Sequence, residues 1–166
     1  MTDVTTLFHE HHESLWRFLT RLTGDPDLAA DAAQMAFIRC VETPPAPDNI
    51  RAWLFRVGRN AALEAARTDT RRTRLLAGGS ARVPHSDPFP AADEEYATAD
   101  RVRRVHTALA RLNVRDRTVL LMREEGFAHR EIAEAVNTTT GSVGTIVARA
   151  LEKLATELRL DGELPT

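Results

Sequence analysis

The stretch Gly126–Leu154, GFAHREIAEAVNTTTGSVGTIVARALEKL, carries two short apolar periods separated by a polar turn. The first, from Arg130 to Val136, places Ile132, Ala133 and Val136 on one side at helical spacing. Asn137–Thr139 supply a turn, and Thr139 or Thr140 has the hydroxyl to cap a second helix by accepting an unpaired backbone N–H. On that second helix Val143, Val147, Ala150, Leu151 and Leu154 recur at three- and four-residue steps and predict a core stripe. Ser142, Thr145 and Arg149 fall opposite, short or long enough to reach base edges or phosphates. The pattern is that of a helix-turn-helix, which lays its second helix in the DNA major groove. Spacing alone fits an ordinary helical hairpin equally well, so the rest of the chain must decide.

The chain has 166 residues, enough for one domain or two small ones, and a formal net charge of −2. A protein that grips DNA unaided usually carries a basic excess, because phosphate neutralisation supplies most non-specific affinity. Any DNA contact here is therefore local or assisted by a partner. Lys153 is the single lysine, so nearly every cation is an arginine. Cys40 is alone and excludes an internal disulfide. No apolar run reaches membrane-spanning length, and the start, MTDVTTLFHEHHE, lacks the regions of a signal peptide, so no membrane insertion and a cytoplasmic location are expected.

Upstream, Phe8, Leu15, Leu19 and Leu22 make one apolar stripe. The run TGDPD ends that helix and starts the next, with Asp25 as cap and Pro26 at the first position, where its missing N–H costs little. The second helix, Asp27 to about Glu42, is expected to bury Ala30, Ala33, Phe37 and Val41 and to leave Asp27, Asp31, Gln34 and Ile38 on a neighbouring face. TPPAPDN breaks it, and a third helix follows from about Ile50 to Arg67, with Ile50, Leu54, Val57 and Ala61 as its buried stripe. From Thr68 to about Ala97 arginines (Arg71, Arg72, Arg74), glycines, prolines and an acidic run from Asp93 to Glu95 replace any apolar period, the composition of a flexible linker. Helices resume near Thr98; Leu109 and Leu112 end one, Val119, Leu120 and Met122 belong to the next, and Gly126 can stop it. The fold class is all-α: two small helical domains joined by a flexible linker, the second a helix-turn-helix.

DAAQMAF, Asp31–Phe37, followed by RAWLFRVGRNAALEAAR, Arg51–Arg67, resembles the core of bacterial RNA polymerase sigma factors of the sigma-70 family. The extracytoplasmic-function (ECF) group, which keeps two conserved regions, is the nearest in layout. Glu131-Ile132-Ala133, Gly141-Ser142-Val143 and Arg149-Ala150 are similar to that group's second-region motifs. The likeness covers about residues 7–67 and 100–155. It implies residues 1–69 as a region-2-like domain, 70–97 as linker, 98–160 as a region-4-like domain and 161–166 as a tail.

The resemblance also implies roles. The chain would bind core RNA polymerase at its clamp and flap regions together with promoter DNA, and direct initiation without being an enzyme. Family members are commonly held inactive by an anti-sigma protein. Asp31, Gln34 and Ile38 would lie on the face that docks on the clamp, although Asp31 serves its own helix dipole equally well. Asn60 would help to form a pocket for a flipped −10 base, and the loop Pro45–Asn49, with Asp48 and Asn49, would read bases beside it. Trp53, Arg56, Asn60 and Arg67 share a face whose aromatic, guanidinium and amide groups suit single-stranded DNA; Trp53 reads equally as core. Thr139, Thr140, Ser142 and Thr145 would sit at the −35 major groove, with Arg130 and Arg149 on phosphates, although Arg130 is equally an exposed helix-start charge. The linker would thread the polymerase.

Three departures stand out. Gly144 and Ile146 occupy places where many relatives carry lysine and arginine, which predicts weaker and less salt-dependent −35 binding. Glu64 stands where aspartate is common. His9, His11 and His12 are close, yet no cysteine or clear acidic partner completes a metal set, so neither metal nor cofactor is expected. Two other readings stay open on sequence: a stand-alone helix-turn-helix regulator, and a polymerase-binding adaptor with degenerate −35 recognition.

Overall fold

A computed structural model describes residues 3–43, 48–77 and 95–162. Among them the regular elements are helices: α1 Val4–Thr23, α2 Pro26–Glu42, α3 Ile50–Ala77, α4 Glu95–Arg111, α5 Val114–Glu124, α6 His129–Val136 and α7 Thr140–Leu160. The chain divides into two compact units, Met1–Ser86 and Asp87–Thr166. Within the expected linker, Gly78, Gly79, Pro84, Pro88, Pro90 and Asp93 lie outside the described residues, as do Pro45–Pro47 of the expected base-reading loop.

Local chemistry sets the helix ends of the first unit. The Asp3 carboxylate accepts the Thr5 N–H, and α1 closes at Gly24, whose φ of 74° is left-handed and cheap only without a Cβ. One residue on, the Asp25 carboxylate accepts the N–H groups of Asp27 and Leu28, with Pro26 opening the helix. Both features follow the TGDPD reading. The α1–α2 corner is pinned where the Trp16 indole N–H donates to the Pro26 carbonyl at 3.1 Å.

The inward faces differ in part from the sequence reading. In α1 the buried set is Leu7, Leu15, Phe18, Leu19 and Leu22. Phe8 is not in it: it is 40% exposed, stacked on His12 at 4.2 Å and tilted against Phe37 at 5.1 Å. In α2 the buried arc is Ala29, Ala32, Ala33, Ala36 and Phe37. Ala30 is exposed and Val41 is 60% exposed. The arc follows the alanines because small side chains let helix axes approach, and that rotates the larger apolar residues outward. In α3 the buried residues are Leu54, Phe55, Gly58 and Ala62, whereas Ile50, Val57 and Ala61 are only half-buried. Phe18 and Phe55 meet at 5.0 Å. A Cβ on Gly58 would stand 3.1 Å from one Leu15 methyl carbon and 3.2 Å from one of Leu19.

Both helices that border the linker run further than composition suggests: α3 continues to Ala77, and α4 starts at Glu95. The apolar period fades after Arg67 because residues 67–73 are exposed, and periodicity reports burial rather than helicity. Arginine and leucine are good helix formers, and no breaker precedes Gly78.

In the second unit Arg117 reaches back to the end of α4, donating to the carbonyls of Leu109, Ala110 and Leu112 at 2.8–2.9 Å. Burial pulls its guanidinium below the ordinary arginine range. Asn113 caps α5 through the Asp116 N–H. The buried Asp116 carboxylate accepts from the Asn113 amide at 2.9 Å and from the Lys153 ammonium of α7 at 2.6 Å. Arg111 ties α4 to Glu157 at 3.2 Å and to Asp161 at 3.0 Å. Gly126, with φ of 85°, turns the chain after α5.

The crowding at Gly58 yields a stability test. Gly58→Leu should lower unfolding free energy by about 1–3 kcal/mol through overpacking, read as a reduced urea midpoint, even though leucine is the better helix former.

Candidate nucleic-acid and polymerase interface

The helix-turn-helix forms as its sequence predicts, with a tighter turn chemistry. The Glu131 carboxylate folds back to accept the Ala128 N–H at 2.7 Å and so steadies the start of α6. Asn137 takes a left-handed φ of 56°, a conformation asparagine tolerates better than most residues, and the Thr138 N–H donates to the Ala133 carbonyl at 2.9 Å. Thr139 is the N-cap residue of α7, yet its hydroxyl does not take a backbone N–H as expected. It pairs with the Ser142 hydroxyl at 2.6 Å instead.

The α7 core stripe matches the expected one except at its edge, where Ile146 takes the place of Leu151. Val143, Ile146, Val147 and Ala150 are buried, Leu154 is half-buried, and Leu151 is 44% exposed. The departure at Ile146 therefore removes nothing from the polar face, because that side chain is core. Thr140, Thr145 and Arg149 are exposed, with Ser142 half-buried beside Thr139. Arg130 projects from α6 and pairs with Glu134 at 3.5 Å. Gly144 is exposed, and a Cβ there would meet only the His129 ring, at 4.0 Å. The bare patch at Gly144 is thus bordered by a histidine that the sequence reading passed over. Leu151 also edges a shallow groove lined by Val105, Leu109, Leu120, Leu121 and Leu154.

In the first unit Trp53, Arg56, Asn60 and Arg67 do share one face of α3, opposite Leu54, Phe55, Gly58 and Ala62. Trp53 and Arg56 are half-buried; Asn60 and Arg67 are exposed. The Asn60 carbonyl oxygen accepts from the Arg59 guanidinium at 3.3 Å. Burial, then the charge of Arg67, pulls Arg59 below its ordinary range. Asp48 and Asn49 are exposed just before α3. The Asn49 side chain has a structural duty there: its oxygen accepts the Ala52 N–H at 3.1 Å and caps the helix.

On α2, Asp31, Gln34 and Ile38 lie on the exposed side. They are joined by Met35, 43% exposed, and by Val41. The sequence reading missed both as surface residues, Val41 because it was counted as core. The alanine spacing at Ala29, Ala32, Ala33 and Ala36 was the available signal. Among the described residues no group of three His, Cys, Asp or Glu side chains converges as a metal set, and no helix is long and apolar enough to cross a membrane.

Comparison with known proteins matches both units of the chain. The Sigma-70 region 2 profile matches residues 7–72, and that of Sigma-70, region 4 matches residues 102–154. The ECF RNA polymerase sigma factor SigL of Mycobacterium tuberculosis is 30% identical over 159 residues, covering 92% of this chain and 87% of that protein. The chain belongs to the ECF RNA polymerase sigma factors. EcfG of Rhodopseudomonas palustris, another such factor, is 28% identical over 153 residues, 90% of this chain and 81% of its own. The sigma factor RpoE in its co-crystal structure with the anti-sigma factor NepR, from Bartonella quintana, shares the fold. Its TM-score is 0.71, covering 97% of this chain and 99% of that one, at 21% identity. As a sigma factor the chain is a non-enzymatic initiation factor that binds core RNA polymerase and directs it to promoters. The stand-alone regulator reading leaves the region 2 match unexplained.

For this sigma factor Gly144 offers a direct test. Gly144→Lys should tighten binding of holoenzyme to its promoter and steepen the salt slope by about 0.9, the worth of one phosphate contact. Gly144→Ala should gain about 1 kcal/mol of helix stability with no change in slope. A lysine variant that binds no tighter would show that this position does not face DNA.

Proposed function

We propose that this sigma factor uses the α3 face for the melted −10 element and the α6–α7 face for the −35 duplex. The observation that carries the reading is the geometry of α3, where an aromatic, an arginine and an amide stand diametrically opposite the core. Trp53 supplies a stacking surface, Asn60 base-edge hydrogen bonds, and Arg56 and Arg67 phosphate contacts. Asp48 and Asn49 border the same end of α3. Thr139, Thr140, Ser142 and Thr145 meet the −35 groove, with Arg149 and Arg130 toward the backbone. Gln34, Ile38 and their neighbours Met35 and Val41 dock on the polymerase clamp, with Asp31 at the helix's other end. The groove edged by Leu151 takes the flap.

On this reading residues 1–69 act as the region 2 domain, 98–160 as the region 4 domain, 70–97 as the connection and 161–166 as a tail. The factor works in the cytoplasm, where polymerase is. An anti-sigma protein covering the α2 face would silence it; the fold neighbour RpoE is held by one.

Run-off transcription with cognate core polymerase on genomic fragments tests the assignment. New discrete start sites should depend on the chain. Asn60→Ala should cut their yield by about five- to a hundredfold, the worth of a base-edge contact, while leaving polymerase binding intact. Ile38→Glu should weaken polymerase binding by about tenfold or more. Normal transcription from both variants would overturn the residue assignments.

A further inference from the structure

Arg59 stands on the border between the core side of α3 and the face that carries Asn60. Phe55, four residues before it, and Ala62, three after it, are buried, and Arg59 is half-buried beside them. From there its guanidinium reaches round to Asn60 and donates to the amide oxygen at 3.3 Å. We propose that Arg59 is a positioning residue: it fixes which way the Asn60 amide faces, so that Asn60 reads the −10 base as a hydrogen-bond donor. The proposal rests on the assignment of Asn60 to that base.

The chemistry of the pair sets the orientation. A guanidinium carries N–H donors and no acceptor, so the amide atom turned toward it must be the oxygen. The NH2 group then lies on the other arm of the amide. Among the described residues nothing accepts from that group, and Glu64, the acid one turn on, does not take it. Asn60 is exposed, so its donors are left to an incoming ligand.

An asparagine without such a tether exchanges its oxygen and its NH2 group by a half turn about a broad, two-fold torsion. The two settings present opposite chemistry. With the oxygen outward the side chain selects the amino groups of bases; with the NH2 group outward it selects ring nitrogens and carbonyls. A site that offers both discriminates poorly. Tying the oxygen to Arg59 removes one setting without any contact between Arg59 and DNA, and the ligand becomes a base edge that bears acceptors. Arg59 is itself supported. Burial first, then the charge of Arg67, pulls its guanidinium below the ordinary arginine range, the behaviour of a head held against protein rather than loose in water.

The test measures binding of holoenzyme, assembled from core polymerase and the full chain, to single-stranded −10 segments of a promoter located by run-off transcription. Each position is varied through the four bases. The position that Asn60 reads is the one whose preference is lost in Asn60→Ala, and the readout is the ratio of affinities for the best and worst base there. Arg59→Met keeps an apolar stem against the core and removes the donors. It should cut that ratio by about threefold or more, the effect of one hydrogen bond. The salt slope should fall by much less than the roughly 0.9 of a phosphate contact. Asn60→Asp keeps an oxygen toward Arg59 but has no donor, so it should lose the wild-type preference. An Arg59→Met holoenzyme that weakens equally on all four bases, or matches the wild type, would overturn the positioning role. So would an Asn60→Asp variant that keeps the wild-type preference, since the oxygen would then face the base. In each of these cases the −10 assignment of Asn60 stands. If Asn60→Ala alters the preference at no position, that assignment falls and the proposal with it.

Discussion

The close approach of α3 to α1 at Gly58 fixes most of what the first unit can do. A Cβ there would stand 3.1 Å and 3.2 Å from methyl carbons of Leu15 and Leu19, tight enough that they would have to give, so glycine lets α3 settle with Leu54, Phe55 and Ala62 inward. Once that side is committed, helical geometry leaves no freedom for the other. Trp53, Arg56, Asn60, Arg67 and Arg71 must point away from the core. The position of the face that carries Asn60 is therefore a consequence of packing on the opposite side, and a rotation of α3 of even one residue step, about 100°, would move Asn60 out of it. The same logic governs α2, where an alanine-lined inner arc turns Met35, Ile38 and Val41 to the outside.

The second unit is held by charge as well as by apolar contact. Asp116 is buried and would be costly if left alone. Lys153 and Asn113 answer it from different helices, joining the start of α5 to the C-terminal half of α7. Arg111 joins α4 to the end of the same helix. Lys153 is half-exposed, so this pair is worth less than a fully buried one, but its geometry is specific. The helix α7 is thus clamped at its far end, with the polar face of its N-terminal half left exposed.

What the sequence made legible divides along physical lines. Features decided by one or two neighbouring residues were readable: the Asp25–Pro26 start, the turn at Gly126, and the turn that opens at Asn137. Polar faces were readable too, because Gln34, Asn60, Thr145 and Arg149 sit in wide polar arcs that tolerate a small error of rotation. Core membership was less so. Hydrophobic size placed Phe8, Val41 and Leu151 inside, yet Leu7, Ala29, Ala32, Ala36 and Ile146 occupy the interior. Those choices depend on which neighbour arrives, and no local pattern carries that information. The end of α3 was misread for a related reason, since helix beyond the core carries no apolar period. The hydroxyl of Thr139 went to Ser142 rather than to a backbone N–H because a short polar partner stood one turn away.

The net charge of −2 stops being a puzzle once the cations are located. A protein that must find DNA alone needs a broad positive field. A subunit delivered by a polymerase needs cations only where its own contacts fall. In this chain acids and arginines pair along α4, α6 and α7, as in Arg104–Asp100, Arg130–Glu134 and Arg111–Asp161. Arg67 on α3 and Arg149 on α7, by contrast, have no such partner among the described residues. Leaving such cations unpaired keeps local positive charge on a chain whose net charge is negative, which is all that contacts made with a partner's help require.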